Sequence, residues 1–98
     1  MNSYYFVFEV EPQSTNPTVG HVSRAVAHIW SLSNDLHEAR NVALRFLESD
    51  KWDITKENKG YLPTQEQIAG LTGEDLSNYE AAQSEGINAK YYYWHRSE

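Results

Sequence analysis

Along the first eleven residues apolar and polar side chains alternate, with Tyr4, Phe6, Phe8 and Val10 on one side and Tyr5, Val7, Glu9 and Glu11 on the other. A period of two over this length predicts a strand with one face buried. Pro12 is expected to end it, and the polar, Pro- and Gly-punctuated stretch from Gln13 to Gly20 reads as a loop. From Val22 to Leu32 the chain is again rich in β-branched and aromatic residues. Val22, Arg24, Val26, His28, Trp30 and Leu32 would share one face; Ser23, Ala25, Ala27, Ile29 and Ser31 would share the other. Neither face is strongly polar, which predicts an interior strand paired back on the first.

The period then changes. Leu36, Ala39, Ala43, Phe46 and Leu47 form a helical stripe, and Asp35 with Glu38 three residues later marks its start as a capped N-terminus. A third strand is expected at 52–57 with Trp52 and Ile54 inward, followed by a turn through Gly60. Thr64 with Gln67 and Thr72 with Asp75 give two further capping signals. Gly70 and Gly73 weaken continuity between them, so one kinked helix and two separate pieces both remain open. Gly86 is a natural left-handed stop, and the β-rich run that follows it returns the chain to the sheet.

The order β-β-α-β-α-β predicts an α+β fold: a two-layer sandwich with a mixed sheet of about four strands and its helices on one face. In shape this is ferredoxin-like, although the leading hairpin departs from the βαββαβ order of that architecture, and fold alone confers no function. The 98 residues fit a single domain, 1–98, large enough for one hydrophobic core without a metal or disulfide staple.

Composition narrows the function classes. There is no cysteine, which removes disulfide frameworks, zinc–thiolate sites and thiol catalysis. The N-terminal apolar run is interrupted by Glu9 before it reaches signal-peptide or membrane length, so a soluble, cytoplasmic chain with no membrane partner is expected. The formal charge is −6, and no lysine or arginine occurs between Gly60 and Ala89, where Glu66, Glu74, Asp75, Glu80 and Glu85 lie. Nucleic-acid binding requires clustered cations, so no nucleic-acid partner is expected. An acidic surface instead keeps a small protein soluble or steers a basic protein partner toward it.

Reactive constellations are missing. Of the four histidines, His21, His28, His37 and His95, none stands at a metal-ligand spacing; His37-Glu38 opens like a zinc-protease helix, but Asn41 occupies the position of the second ligand. Glu9 and Glu11 would share a strand face, yet acid–base catalysis also needs a pocket and a positioning partner. Gly70, Gly73 and Gly86 have the wrong spacing for a phosphate loop. The sequence therefore predicts no enzyme, no catalytic or metal site and no cofactor.

What remains is aromatic. The run Tyr91-Tyr92-Tyr93-Trp94-His95-Arg96 on a strand would place Tyr91, Tyr93 and His95 on one face and Tyr92, Trp94 and Arg96 on the other. With helices on one face only, aromatics on the other would be exposed, and register decides which set that is. Candidates for an interaction surface are Tyr5, Trp30, Tyr91, Tyr92, Tyr93, Trp94 and His95. The expected function is a non-enzymatic protein–protein interaction module, inhibitor- or antitoxin-like in size and charge. It would dimerise through this aromatic surface and offer its acidic segment to a basic protein partner. The competing expectation is a small-molecule sensor with an aromatic-lined pocket near Trp30, Tyr92 and Trp94.

Overall fold

Four strands and three helices make up the described part of the chain, residues 1–95 of a computed structural model. In chain order they are β1 (Asn2–Pro12), β2 (Val22–Ser33), α1 (Leu36–Ser49), β3 (Trp52–Tyr61), α2 (Gln65–Ala69), α3 (Gly73–Glu85) and β4 (Ile87–His95). Arg96, expected on the face of Tyr92 and Trp94, lies outside the described residues. None of the described helices is long and apolar enough to cross a membrane.

The strands form one sheet in the order β3-β1-β2-β4, and every neighbouring pair is antiparallel. The expected mixed sheet is thus corrected. A helix joining two strands makes them parallel neighbours only if they end up adjacent; here α1 carries the chain past β1, and α2–α3 carry it from one edge strand to the other. With β1 and β2 paired directly and both edges filled from the later half of the chain, the ferredoxin-like analogy also fails; the α+β class stands.

A second correction concerns the layers. The helices do not share a face. The main core joins Phe6, Phe8 and Val10 of β1 and Ala25, Ala27 and Ile29 of β2 to Ala39, Ala43 and Leu47 of α1. On the opposite face α3 meets the sheet through Tyr79, whose ring packs edge-on against Trp30 at 5.2 Å, and through a hydrogen bond from Gln83 to Ser3. Both alternating sets of β1 are therefore covered over part of their length, and Val7 is buried along with Phe6 and Phe8. The two coverings differ in weight. Burying Leu47 alone is worth about 1.5–3 kcal/mol, and α1 adds Ala39 and Ala43, whereas α3 buries only Ala82 and α2 no residue at all.

The local signals hold where a side chain makes the cap. Asp35 accepts the Glu38 N–H at 2.7 Å, Thr64 and Gln67 form a reciprocal capping box, and Gly86 stops α3 at φ 90°. Thr72 precedes α3, but its side chain makes no cap hydrogen bond, so the third capping signal is not realised. The strand β3 runs on through Tyr61 instead of turning away, and Ile54 is exposed while Trp52 is buried. Two register shifts against β1 accompany the longer pairing of so polar a segment: the bulges bend an edge strand whose Lys56 and Lys59 are exposed and whose Glu57 is ion-paired to Arg40 of α1 at 2.6 Å.

At the corner between α1 and β3, Lys51 adopts a left-handed φ of 66°. Its carbonyl accepts the backbone N–H of Gln13 and the side-chain amide of Asn16, at 2.9 and 3.0 Å. Asn16 is buried, and its own Oδ1 accepts both the N–H and the hydroxyl of Thr18. One polar side chain thus pins the β1–β2 connection to the far end of α1.

Candidate functional site

The pleat divides the C-terminal aromatic run between two different tasks. Tyr91 and Tyr93 lie on the α1 face, opposite Ala27 and Ala25 of β2. Those small residues leave room for the rings to lean inward, and Trp52 stacks on Tyr91 at 5.2 Å and on Tyr93 at 6.2 Å. The Tyr91 hydroxyl donates to Asp50 Oδ2 at 2.7 Å. Burial first, and then this bond to a carboxylate, push the Tyr91 phenol well above its ordinary range. These two tyrosines fasten an edge strand to the α1–β3 corner, so their first task is structural.

Tyr92 and Trp94 look the other way. Tyr92 meets the His28 ring edge-on at 5.0 Å, and the Arg24 guanidinium lies 4.8 Å from the centre of the Trp94 ring. Tyr92, Tyr93 and Trp94 all retain more than two-fifths of their surface in water, at 47%, 46% and 43%. His95 ends the strand, exposed, opposite Val22.

A cleft opens on the same face as Tyr92, where the chain climbs from β3 into α2 and α3. Its volume is about 330 Å³. Tyr5 and Trp30, cross-strand partners with ring centres 4.8 Å apart, form the floor. Tyr61 packs edge-on against Tyr5 at 6.0 Å, and Pro63 and Leu71 complete the apolar wall. Glu66 of α2 and Asp75 of α3 supply the charge. No lysine or arginine lines the cleft, and neither carboxylate is ion-paired among the described residues. Across the fold the acidic set therefore splits: Glu66 and Asp75 come together at the cleft, Glu74 is bound to Lys90 at 2.8 Å, and Glu80 and Glu85 stand exposed on α3.

Beside the floor, on the same sheet face, the Tyr5 hydroxyl shares a hydrogen bond with Nδ1 of His28. Burial, reinforced by the negative charge of Asp75, pushes the Tyr5 phenol up to about 12, so it stays protonated. Burial lowers the His28 imidazole below its ordinary 6.5; Asp75 opposes that shift and Lys59 adds to it. A phenol held protonated and an imidazole held neutral make a polar support for the Tyr5 ring. Among the described residues no group of three or more metal-ligating side chains comes together.

No family model matches this chain, and no curated protein or solved structure is significantly similar to it. The geometry is therefore the ground for a functional reading. It joins Tyr5 and Trp30, named from the sequence, to Glu66 and Asp75, and it separates them from Tyr91 and Tyr93. The cleft lies beside Trp30 but contains neither Tyr92 nor Trp94. Sequence reasoning missed Tyr61, Pro63 and Leu71, because the segment around Gly60 reads as a turn. The available signal was the aromatic–Pro pair of Tyr61 and Pro63 just ahead of a capping box, which places a ring at the mouth of a helix layer.

Proposed function

We propose that this protein is a non-enzymatic recognition module that holds a basic protein partner by a cationic side chain seated in the Tyr5–Trp30–Tyr61 cleft. The observation that carries the reading is the pairing of aromatic walls with two carboxylates that have no cation partner among the described residues. A ring face attracts a cation through its quadrupole, and an unpaired carboxylate beside it adds a direct Coulomb attraction. The lysine- and arginine-free stretch around the cleft extends that field and would raise the association rate of a basic partner.

The test is a titration of the full chain with a short lysine-rich peptide, read by amide chemical shifts over a series of salt concentrations. Affinity should fall as salt rises, with shifts centred on Tyr61, Glu66 and Asp75. The paired substitution Glu66→Gln and Asp75→Asn should weaken binding about two- to thirtyfold, since each exposed charge is worth about 0.2–1 kcal/mol. Binding that ignores both salt and these substitutions would sink the reading.

Self-association through β4 is a second reading, favoured by a separate observation. β4 is an edge strand that exposes Tyr92, Tyr93 and Trp94, whereas the other edge, β3, is guarded by bulges and charges. Light scattering over a dilution series decides it: a dimer that becomes a folded monomer on Tyr92→Lys supports this surface, and a wild-type monomer removes it.

A further inference from the structure

The shape and hydrogen-bonding capacity of the cleft say which cation it would take. Its rings are not parallel. Trp30 is inclined 45° to Tyr5, and Tyr61 stands at 78° to Tyr5. A planar guanidinium stacks best on one flat face or in a slot between parallel ones. Mutually inclined rings form a concave corner, which suits a tetrahedral cation that presents a different edge to each ring.

Donor accounting points the same way. A lysine ammonium brings three N–H donors and a guanidinium five, and each one withdrawn from water needs an acceptor. Around the cleft the Tyr5 hydroxyl is engaged with His28, and the Gln67 carbonyl oxygen already accepts the Thr64 N–H at 2.8 Å. Among the side chains lining it, Glu66, Asp75 and the Tyr61 hydroxyl remain. The rest of the wall is ring, proline and leucine, which can contact a methyl group but cannot accept a proton. Replacing N–H by N–CH3 lowers the hydration that the cation must shed against these rings, adds apolar surface to meet them, and keeps the positive charge that Glu66 and Asp75 attract.

On the reading that the cleft is the binding element, we infer that its preferred occupant is an Nε-methylated lysine side chain of a basic protein. The acidic surroundings of the cleft argue for a carrier with further positive charge of its own. Glu80 and Glu85 lie exposed on α3 and have no ion-pair partner among the described residues.

The experiment uses one basic peptide sequence with a central lysine, Nε-trimethyl-lysine or arginine, with free choline as a separate probe, each titrated into the full chain. The trimethyl peptide should bind about two- to fivefold tighter than either of the other peptides, the gain expected of a cation–π site whose walls stay partly exposed. Tyr61→Leu keeps an apolar wall but removes the ring face, so it should abolish that preference and leave the salt-dependent part of binding. Tyr61→Ala, checked by circular dichroism, should do the same. Equal affinity for the lysine and trimethyl peptides, or tighter binding of arginine, would overturn the methyl preference and leave the basic-partner reading intact. Choline binding as tightly as the trimethyl peptide would overturn the protein source. Failure of every probe to bind would remove both readings.

Discussion

Replacing Tyr91 by phenylalanine removes one oxygen and tests whether the C-terminal strand is held by the Asp50 clasp. The hydroxyl donates to Asp50 Oδ2 at 2.7 Å, and the ring, stacked on Trp52 at 5.2 Å, stays in place in the variant. A hydrogen bond to a charged group contributes about 1.5–3 kcal/mol. Asp50 is exposed and returns to water when the bond is lost, so the expected loss at neutral pH is at the low end, about 1.5 kcal/mol. In a domain of this size that corresponds to a fall in Tm of about 6–12 °C.

The same substitution has a signature in alkali. The Tyr91 phenol is raised by burial and by Asp50 above its ordinary value of 10.0, so its contribution to stability is complete below pH 10. That contribution is lost as pH rises through the folded value, because the unfolded chain then releases a proton that the folded chain keeps. Tyr5, pushed up to about 12, acts in the same sense and remains in the variant. Urea unfolding followed by circular dichroism, repeated between about pH 7 and 11, should show Tyr91→Phe less stable at neutrality and less sensitive to alkali than the parent. A variant as stable as the parent at neutral pH, or with an unchanged alkaline loss, would refute the clasp.

Other perturbations read other parts of the fold. Asn16→Ala should cost about 2 kcal/mol or more by leaving the Lys51 carbonyl and the Thr18 N–H without their buried partner, measured by the same urea titration. Gly60→Ala should cost about 1–3 kcal/mol, because the new Cβ would stand 3.0 Å from a ring carbon of the buried Phe6. His28, faced by Tyr5, Tyr92, Asp75 and Lys59, is held neutral below its ordinary 6.5, so stability should fall as pH drops from 6.5 toward the folded value. His28→Gln should flatten that part of the pH profile. Hydrogen exchange should be faster in α2 and α3 than in α1, which buries three residues against one for α3 and none for α2; equal protection would contradict the unequal layering.

Much of the fold was legible because its signals are local. Alternation in β1 and β2, the Asp35 and Thr64 caps and the Gly86 stop each need only a few neighbouring residues to read, and each was found in place; of the α1 stripe, Ala39, Ala43 and Leu47 are buried, while Phe46 is half-buried and Leu36, in the first turn, is exposed. The layering was not local. Whether α2 and α3 cover the same face as α1 depends on the route from Tyr61 at one edge of the sheet to Ile87 at the other, and short-range periodicity does not encode that route. Tyr5, Val7 and Trp30 were a partial clue, being too apolar for a face left to water. β3 was misjudged at its end because a bulged edge strand tolerates glycine and charge that an interior strand would not. At the site, Tyr5 and Trp30 were visible as aromatics, but only the pairing of β1 with both β2 and β3 shows that Tyr61 joins them.

The two faces of the sheet perform different work, and this difference is what makes a site possible. On the α1 side, Ala27 and Ala25 of β2 lie opposite Tyr91 and Tyr93 and Trp52 stacks on both rings, so most of the apolar surface closes on itself and only Tyr93 stays half-exposed near the strand end. On the opposite side the covering is thin: one buried alanine, one edge-on ring pair, the Ser3–Gln83 bond and the Lys90–Glu74 ion pair hold α3 to the sheet. A tightly packed layer there would have filled the space between Trp30 and Asp75. Because α2 is one short turn and buries nothing, Glu66 and Asp75 stand over Tyr5 and Trp30 with room between them, and neither is ion-paired among the described residues. A cation placed there would bond the helices to the sheet through itself. Its binding energy would thus appear partly as added stability of α2 and α3, the layer that the chain alone holds least firmly.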